Sequence, residues 1–316
     1  MPRIDLLTVG EAFEDLVFVG LPHMPRSGEE LRTQRFVSTI GGGALITAAA
    51  TSRLGLKTAV ASAMSARAAR ELRRDGVRVL NLKRPSEAHA VTVSLSTTRD
   101  RSFVTFDGVN PKLESRLPAA IARHPARHIH LAFAPRDCGR WTRIVKRLRA
   151  AGITASWDFG WNPALRVTNG FRALVGAADF IFVNEAEATL YARTQRSAAA
   201  VAFWRSAARN TIIKLGRRGS RWIAGGQKAA DVSAAAPRVR VVDTTGAGDA
   251  FNGGFLVGWL AGQSPRDCLS LGNFVGSRST MAAGGIDGLP TERPPFAASL
   301  QPSAGSSART AADRQP

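Results

Sequence analysis

The chain has 316 residues, 44% of them hydrophobic, enough to build one large domain or two small ones around a substantial core. Its formal charge of +19 raises the question of nucleic acid, but arginines such as Arg67, Arg70, Arg73 and Arg74 are scattered through helical segments without aromatic interleaving, which reads as a solvated surface with no specific nucleic-acid partner. Cys138 and Cys268 form no metal-spacing pair, and acidic residues interrupt the first apolar stretch, so the expectation is a reduced, cytoplasmic protein with no signal peptide and no membrane partner.

Ile4 to Val9 reads as an apolar strand ending at Gly10-Glu11, and Phe13 to Val19 continues extended. Asp15 lies on this second segment, just past the end of a candidate central strand, where open α/β sheets place ligands. Arg32 to Ser38 reads as a short strand. Gly41-Gly42-Gly43-Ala44 then opens a helix through Leu45, Ala48 and Leu54, and glycines there allow the backbone to approach a ligand or neighbouring structure closely. A strand over 56–63, a helix over 66–75 and a strand over 77–80 follow. Ala90 to Ser96 and Arg101 to Phe106, joined by the polar turn 97–100, read as a hairpin, so the stretches 12–38 and 90–107 form a small sheet inserted in a larger α/β body.

From residue 128 strands and helices alternate in the manner of a mostly parallel sheet covered on both faces. The strand over 153–157 runs into Asp158, Asn162 and, soon after, Arg166, of which Asp158 and Asn162 read from the sequence as capping a loop. Phe180 to Val183 meets Asn184 and Glu187, whose oxygens suit a hard, hydrated cation or favour a helix start. The strand over 211–215 carries Lys214 and leads to a turn with Gly216 and Gly219, and Ser264-Pro265-Arg266-Asp267 is a helix start.

Between these elements lies the run 242–255, Val-Asp-Thr-Thr-Gly-Ala-Gly-Asp-Ala-Phe-Asn-Gly-Gly-Phe. Val239, Val241 and Val242 read as a strand, the glycines as a tight turn, and Phe251, Phe255, Leu256 and Trp259 as a buried helix. Thr244 or Thr245 would cap that helix, while the N–H groups of Gly246, Ala247 and Gly248 would face outward, where they and the helix dipole favour a phosphate. Asp249, in the first turn, stands where a base for phosphoryl transfer would be placed. No Gly-Lys-Ser/Thr follows, so the run is not a Walker A loop.

The same run closely resembles the C-terminal signature of the ribokinase-like (PfkB) carbohydrate kinases, Asp-Thr-x-Gly-Ala-Gly-Asp, and the resemblance extends over residues 4 to 290. It implies a three-layer α/β/α domain over 1–290 with a mostly parallel sheet and a β lid, followed by a flexible tail over 291–316. It implies ATP-dependent phosphorylation of a primary hydroxyl of a small sugar or sugar acid, with a nucleoside kinase or a catalytically silent sugar binder as alternatives. On this likeness Asp249 is the base and Gly246, Ala247 and Gly248 the anion hole. Asp15, Gly41, Gly42, Asp158, Asn162 and Arg166 hold the acceptor; Lys214, Gly216, Gly219 and Asn273 border the nucleotide. Asn184 and Glu187 organise magnesium through water, and Asp243 and Thr245, with the loop 282–285, form a site for a monovalent cation, potassium. A homodimer through the lid is likewise only implied. One departure stands out: the signature Gly-Gly-x-x-x-Asn-x-Ala carries Ile46 where relatives fix the sugar with asparagine, and isoleucine makes no hydrogen bond.

Overall fold

The computed structural model describes residues 4–97, 101–226 and 231–292, apart from the side chain of Arg101. Thirteen strands alternate with ten helices among the described residues. The strands are β1 (Ile4–Gly10), β2 (Phe13–Leu21), β3 (Arg35–Gly41), β4 (Thr58–Ser62), β5 (Arg78–Asn81), β6 (Ala90–Thr97), β7 (Arg101–Phe106), β8 (Ala126–Ala132), β9 (Thr154–Asp158), β10 (Phe180–Asn184), β11 (Asn210–Lys214), β12 (Ser220–Ala224) and β13 (Val232–Ala234). The helices are α1 (Gly43–Arg53), α2 (Ala66–Arg74), α3 (Asn110–Leu113), α4 (Leu117–Arg123), α5 (Cys138–Ala150), α6 (Phe171–Ala177), α7 (Glu185–Tyr191), α8 (Ser197–Ala207), α9 (Ala247–Leu260) and α10 (Pro265–Ser279).

Nine strands form one sheet in the order β13-β12-β11-β10-β9-β8-β1-β4-β5, parallel from β11 to β5 and antiparallel only at the β12 and β13 edge. Apolar side chains alternate between its faces as the strand period requires. Ile181 and Val183 of β10 join the core under α4 to α8, and Phe180 and Phe182 join the core under α9 and α10. The first core is aromatic: Trp141 and Trp157 meet edge to face with centroids 5.5 Å apart, and the Trp157 indole donates to the Phe133 carbonyl at 2.7 Å. From β1 the chain winds through β4 and β5 to one side and later through β8 to β11 to the other. Order therefore reverses between β1 and β8, whose last residues Gly10 and Ala132 are register partners, and a crevice opens outside their C-terminal ends.

The lid is a separate sheet of order β3-β2-β6-β7. The strand expected over 32–38 lies at 35–41 instead, so it runs directly into α1. Of the turn expected at 97–100, residues 98–100 lie outside the described residues, as do residues 293–316 of the expected tail.

The expected strand at Val239 to Val242 does not form. The N–H groups of Val242 and Asp243 both donate to the Thr280 carbonyl at the end of α10, at 2.7 and 3.1 Å, so this stretch crosses from the sheet edge to the helix layer instead of finding a ladder partner. The capping expectation also fails. The residue before α9 is Gly246 in the left-handed region, φ 72°, without a side-chain cap bond, and the Thr245 hydroxyl donates to Asp243 Oδ1 at 2.8 Å.

Helices α9 and α10 touch through glycine. A Cβ at Gly254 would stand 2.7 Å from the Leu271 carbonyl and 2.8 Å from Val275 Cγ2, so Gly254→Ala forces the helices apart. We expect a loss of about 1–3 kcal/mol, read as a lower denaturant midpoint with unchanged slope.

Candidate active site

At the C-terminal edge of the sheet, strand ends deliver one polar group each. Lys214 ends β11, Asp158 ends β9, and Asn252 comes from the second turn of α9. The Lys214 ammonium donates to Asp158 Oδ2 at 2.7 Å and lies 3.4 Å from Asn252 Oδ1; the Asn252 amide donates to the same Asp158 oxygen at 2.8 Å, and the Gly160 N–H donates to Asp158 Oδ1 at 3.0 Å. Burial disfavours the Asp158 carboxylate, yet these three donors hold it below its ordinary range. Burial likewise works against the Lys214 charge, and the surrounding Asp158, Glu187 and Asp249 more than compensate, keeping the lysine protonated.

Asp249 has no such clamp. Burial first, then the charge of Asp158, raises its carboxyl from 3.8 to about 7, with Lys214 pulling the other way. Its backbone is fixed by the Thr47 hydroxyl of α1, which donates to the Asp249 carbonyl at 3.0 Å. Gly43 makes room for the carboxylate, since a Cβ there would stand 2.8 Å from Asp249 Oδ1.

Two cavities meet at this turn. One, of about 720 Å³, is lined by Glu11, Gly43, Ala132, Arg136, Asp158 and Asp249, and also by Trp161 and Asn162 from the loop after β9; it occupies the β1/β8 crevice. The other, of about 950 Å³, is lined by Lys214, Gly216, Gly219, Ala247, Gly248 and Asn273, and by Val239 and Val241 from the stretch that did not form a strand. Consecutive residues of one helical turn thus face opposite ways, Ala247 and Gly248 into the larger cavity and Asp249 into the smaller.

Several expected residues prove to be structural supports. A Cβ at Gly41 would stand 2.1 Å from Asp15 Oδ2, and one at Gly42 2.3 Å from the Glu11 carbonyl, so the close approach that the glycines permit is to the chain itself. Asn184 and Glu187 form a reciprocal capping box on α7, each side chain accepting from the other's N–H at 2.8 Å. Burial and then Asp158 raise the Glu187 carboxyl. The Asn273 amide is spent on the carbonyls of Ala234 and Ala235, at 2.9 and 3.3 Å, while its side chain still borders the larger cavity. Gly219 passes the Ala234 carbonyl where a Cβ would lie 2.0 Å away, whereas Gly216 is open. The N–H of Ala247 turns back to the Thr244 carbonyl at 3.3 Å, so the expected cradle of three outward N–H groups is narrower by one.

Asp243 accepts at Oδ1 from both donors of Thr245 and at Oδ2 from the Gly284 N–H, tying the loop before α9 to the loop at 282–285. Asp15 lies near it on the lid. Burial, then Asp243, raises Asp15 to about 6. Neither Asp15 nor Arg166 is in the wall of the smaller cavity, and Arg166 is exposed beyond Leu165. Ile46 is 2% exposed and wedged against Gly246 and Gly285, so it packs beneath the glycine turn rather than bordering that cavity. Arg136 and Asn252 were not singled out from the sequence. A lone arginine in a basic chain carries no signal, and Asn252 becomes conspicuous only as the third residue after Asp249.

The model of the pfkB family carbohydrate kinases matches residues 3–292. The chain belongs to that family. Its members are kinases that phosphorylate small sugars or nucleosides, and this chain is a phosphotransferase of that kind. It is 32% identical, over 64% of its length and 67% of the relative's, to acarbose 7(IV)-phosphotransferase of Actinoplanes sp.. It is 28% identical to 2-dehydro-3-deoxygluconokinase of Bacillus subtilis, over 70% and 72% of the two chains. Its fold superposes on adenosine kinase from Sinorhizobium meliloti with a TM-score of 0.76, covering 90% and 96% of the chains at 22% identity.

Two outcomes test the electrostatics. Lys214→Met leaves Asp158 buried without its counter-charge and should cost about 3–5 kcal/mol, measured by urea denaturation, with Asp158→Asn in the same chain recovering part of the loss. Asp249→Asn should stabilise the protein. The wild-type carboxyl, raised in the folded state, gives no penalty below pH 3.8, an increasing one as pH rises, and the full one above about 7. The gain in melting temperature should therefore be largest above pH 7 and shrink toward pH 4.

Proposed function

We propose that the protein transfers the γ-phosphoryl group of ATP to a primary hydroxyl of a small sugar or sugar acid. The observation that carries this reading is the division of one helical turn between two cavities, with a carboxyl poised near neutrality on one side and glycine backbone on the other. ATP would lie along the cavity of Gly216, Ala247 and Gly248, and the acceptor in the cavity of Asp158 and Asn162. The two sequence relatives named above, an acarbose phosphotransferase and a 2-dehydro-3-deoxygluconokinase, favour the sugar side of the family.

In this reading Asp249 takes the proton of the attacking hydroxyl, a role for which a carboxyl near neutrality is matched. Gly246 and Gly248 offer their N–H groups to the transferring phosphoryl oxygens at the N-terminus of α9. Lys214, 3.1 Å from where a Gly248 side chain would begin, adds a positive charge at the junction of the cavities while remaining bonded to Asp158. Asp15 rides on the lid and reaches the acceptor when the lid closes over it.

Among the described residues no group of three His, Cys, Asp or Glu side chains is placed to hold a metal ion. The capping box spends one oxygen of Glu187 and one of Asn184 on backbone N–H groups, leaving the second Glu187 oxygen to meet a magnesium ion through water. Magnesium bound there would offset β- and γ-phosphate charge. For potassium, both Asp243 oxygens are already engaged, so the carbonyls of the surrounding loops would have to supply the ligands.

The test is turnover by Asp249→Asn. Removal of the base should lower kcat by about 10²–10⁴, with ATP affinity by calorimetry within threefold of wild type. Full turnover by this variant would sink the assignment, and phosphorylation of adenosine with sugars inert would replace the acceptor.

A further inference from the structure

We propose that Trp161 is a stacking platform for a second ring of the acceptor, so that the site takes a glycoside of two or more rings. The inference rests on the kinase reading above and extends it to acceptor size. Of the six tryptophans, Trp141, Trp157 and Trp204 are fully buried and Trp222 and Trp259 half-buried; Trp161 alone is exposed, at 61%. It stands in the wall of the same cavity as Asp249 and Asp158.

The exposure is built in. Gly160, at φ 63°, gives its N–H to Asp158 and accepts at its carbonyl from the Tyr191 hydroxyl, and the Asn162 N–H donates to that same Tyr191 oxygen at 3.2 Å. Tyr191 is 1% exposed, so the backbone on both sides of Trp161 is fastened to the core. Asn162 Oδ1 then accepts from the N–H groups of Ala164 and Leu165, fixing the turn that follows. A rigid loop holding out an indole costs little ordering when a ligand lands on it.

Cavity size supplies the room. Its lining takes Ala132 and Asp249 at the reacting position and Trp161 three residues past Asp158, the last residue of β9, and its volume of about 720 Å³ is more than one sugar ring fills. Phe13 is the single wall residue drawn from the lid sheet, so the extent toward Trp161 is set by the body and not by how far the lid stands open. A sugar ring presents C–H groups on its face and hydroxyls at its edge. An indole matches the face, and the guanidinium of Arg136 and the amide of Asn162 on the same wall are donors for the edge.

The experiment is steady-state phosphorylation, with ATP, of glucose, fructose, ribose and 2-keto-3-deoxygluconate set against maltose, sucrose, lactose and trehalose, by wild type, Trp161→Ala and Trp161→Phe. We expect a two-ring sugar to have the higher kcat/KM. Trp161→Ala should raise its KM about tenfold with kcat within twofold, shift KM for one-ring sugars threefold at most, and be largely rescued by Trp161→Phe. Preference for a one-ring sugar, or an equal effect of Trp161→Ala on both sizes, overturns the second-ring subsite while leaving the kinase reading standing. No turnover of any sugar overturns the sugar-kinase reading itself, and the subsite with it.

Discussion

The ion pair between Lys214 and Asp158 is the constraint on which the site depends. A buried ammonium is tolerable only with counter-charge in contact, and here three carboxylates surround it while one holds it by a hydrogen bond. That asymmetry sorts the acids. Asp158, clamped by Lys214, Asn252 and Gly160, stays ionised; Asp249, near the same lysine but unclamped, is raised toward neutrality by burial and then by the repulsion of Asp158. Two aspartates on different elements thereby acquire different acidities from one network, the separation that fits paired carboxyl groups for different roles.

The pair also explains why the elements meet as they do. Lys214 and Asp158 stand at the ends of β11 and β9 on either side of β10, and Asn252 reaches them from α9, so the sheet and its last major helix are tied at the point where the two cavities touch. Thr47 from α1 holds the other side of that turn. The network is therefore assembled from segments far apart in sequence, Thr47 and Asp249 being 202 positions apart.

Strand and helix identities were legible in the sequence wherever periodicity was long or the termini were marked: the helix expected over 66–75 is α2, Ala66–Arg74, and the lid was visible as two strand-rich stretches. The failure at Val239 to Val242 is instructive. β-branched residues fit a pleated surface, but a strand also needs a partner, and local sequence does not reveal that the neighbouring N–H groups will be taken by Thr280. The site was legible as a set of strand-end residues. Their division of labour was not, because the roles of Gly41, Gly42 and Asn273 as supports for other backbone follow from contacts between distant segments, whereas the Asn184–Glu187 capping box, three residues long, was legible as a helix start. Ile46 shows the same limit: its polarity was readable, whereas the direction it packs was not.

The lid is joined to the body through short connections. β1 passes to β2 through Glu11 and Ala12, and β3 passes to α1 through Gly42. Glu11 and Gly43 line the smaller cavity, Gly43 lies against Asp249, and Gly42 leaves no room between itself and the Glu11 carbonyl. The joints between lid and body are thus the same few residues that wall this cavity. Any swing of the lid about these joints would reshape that wall, so the position of the lid and the surroundings of the Asp249 carboxyl are mechanically one variable.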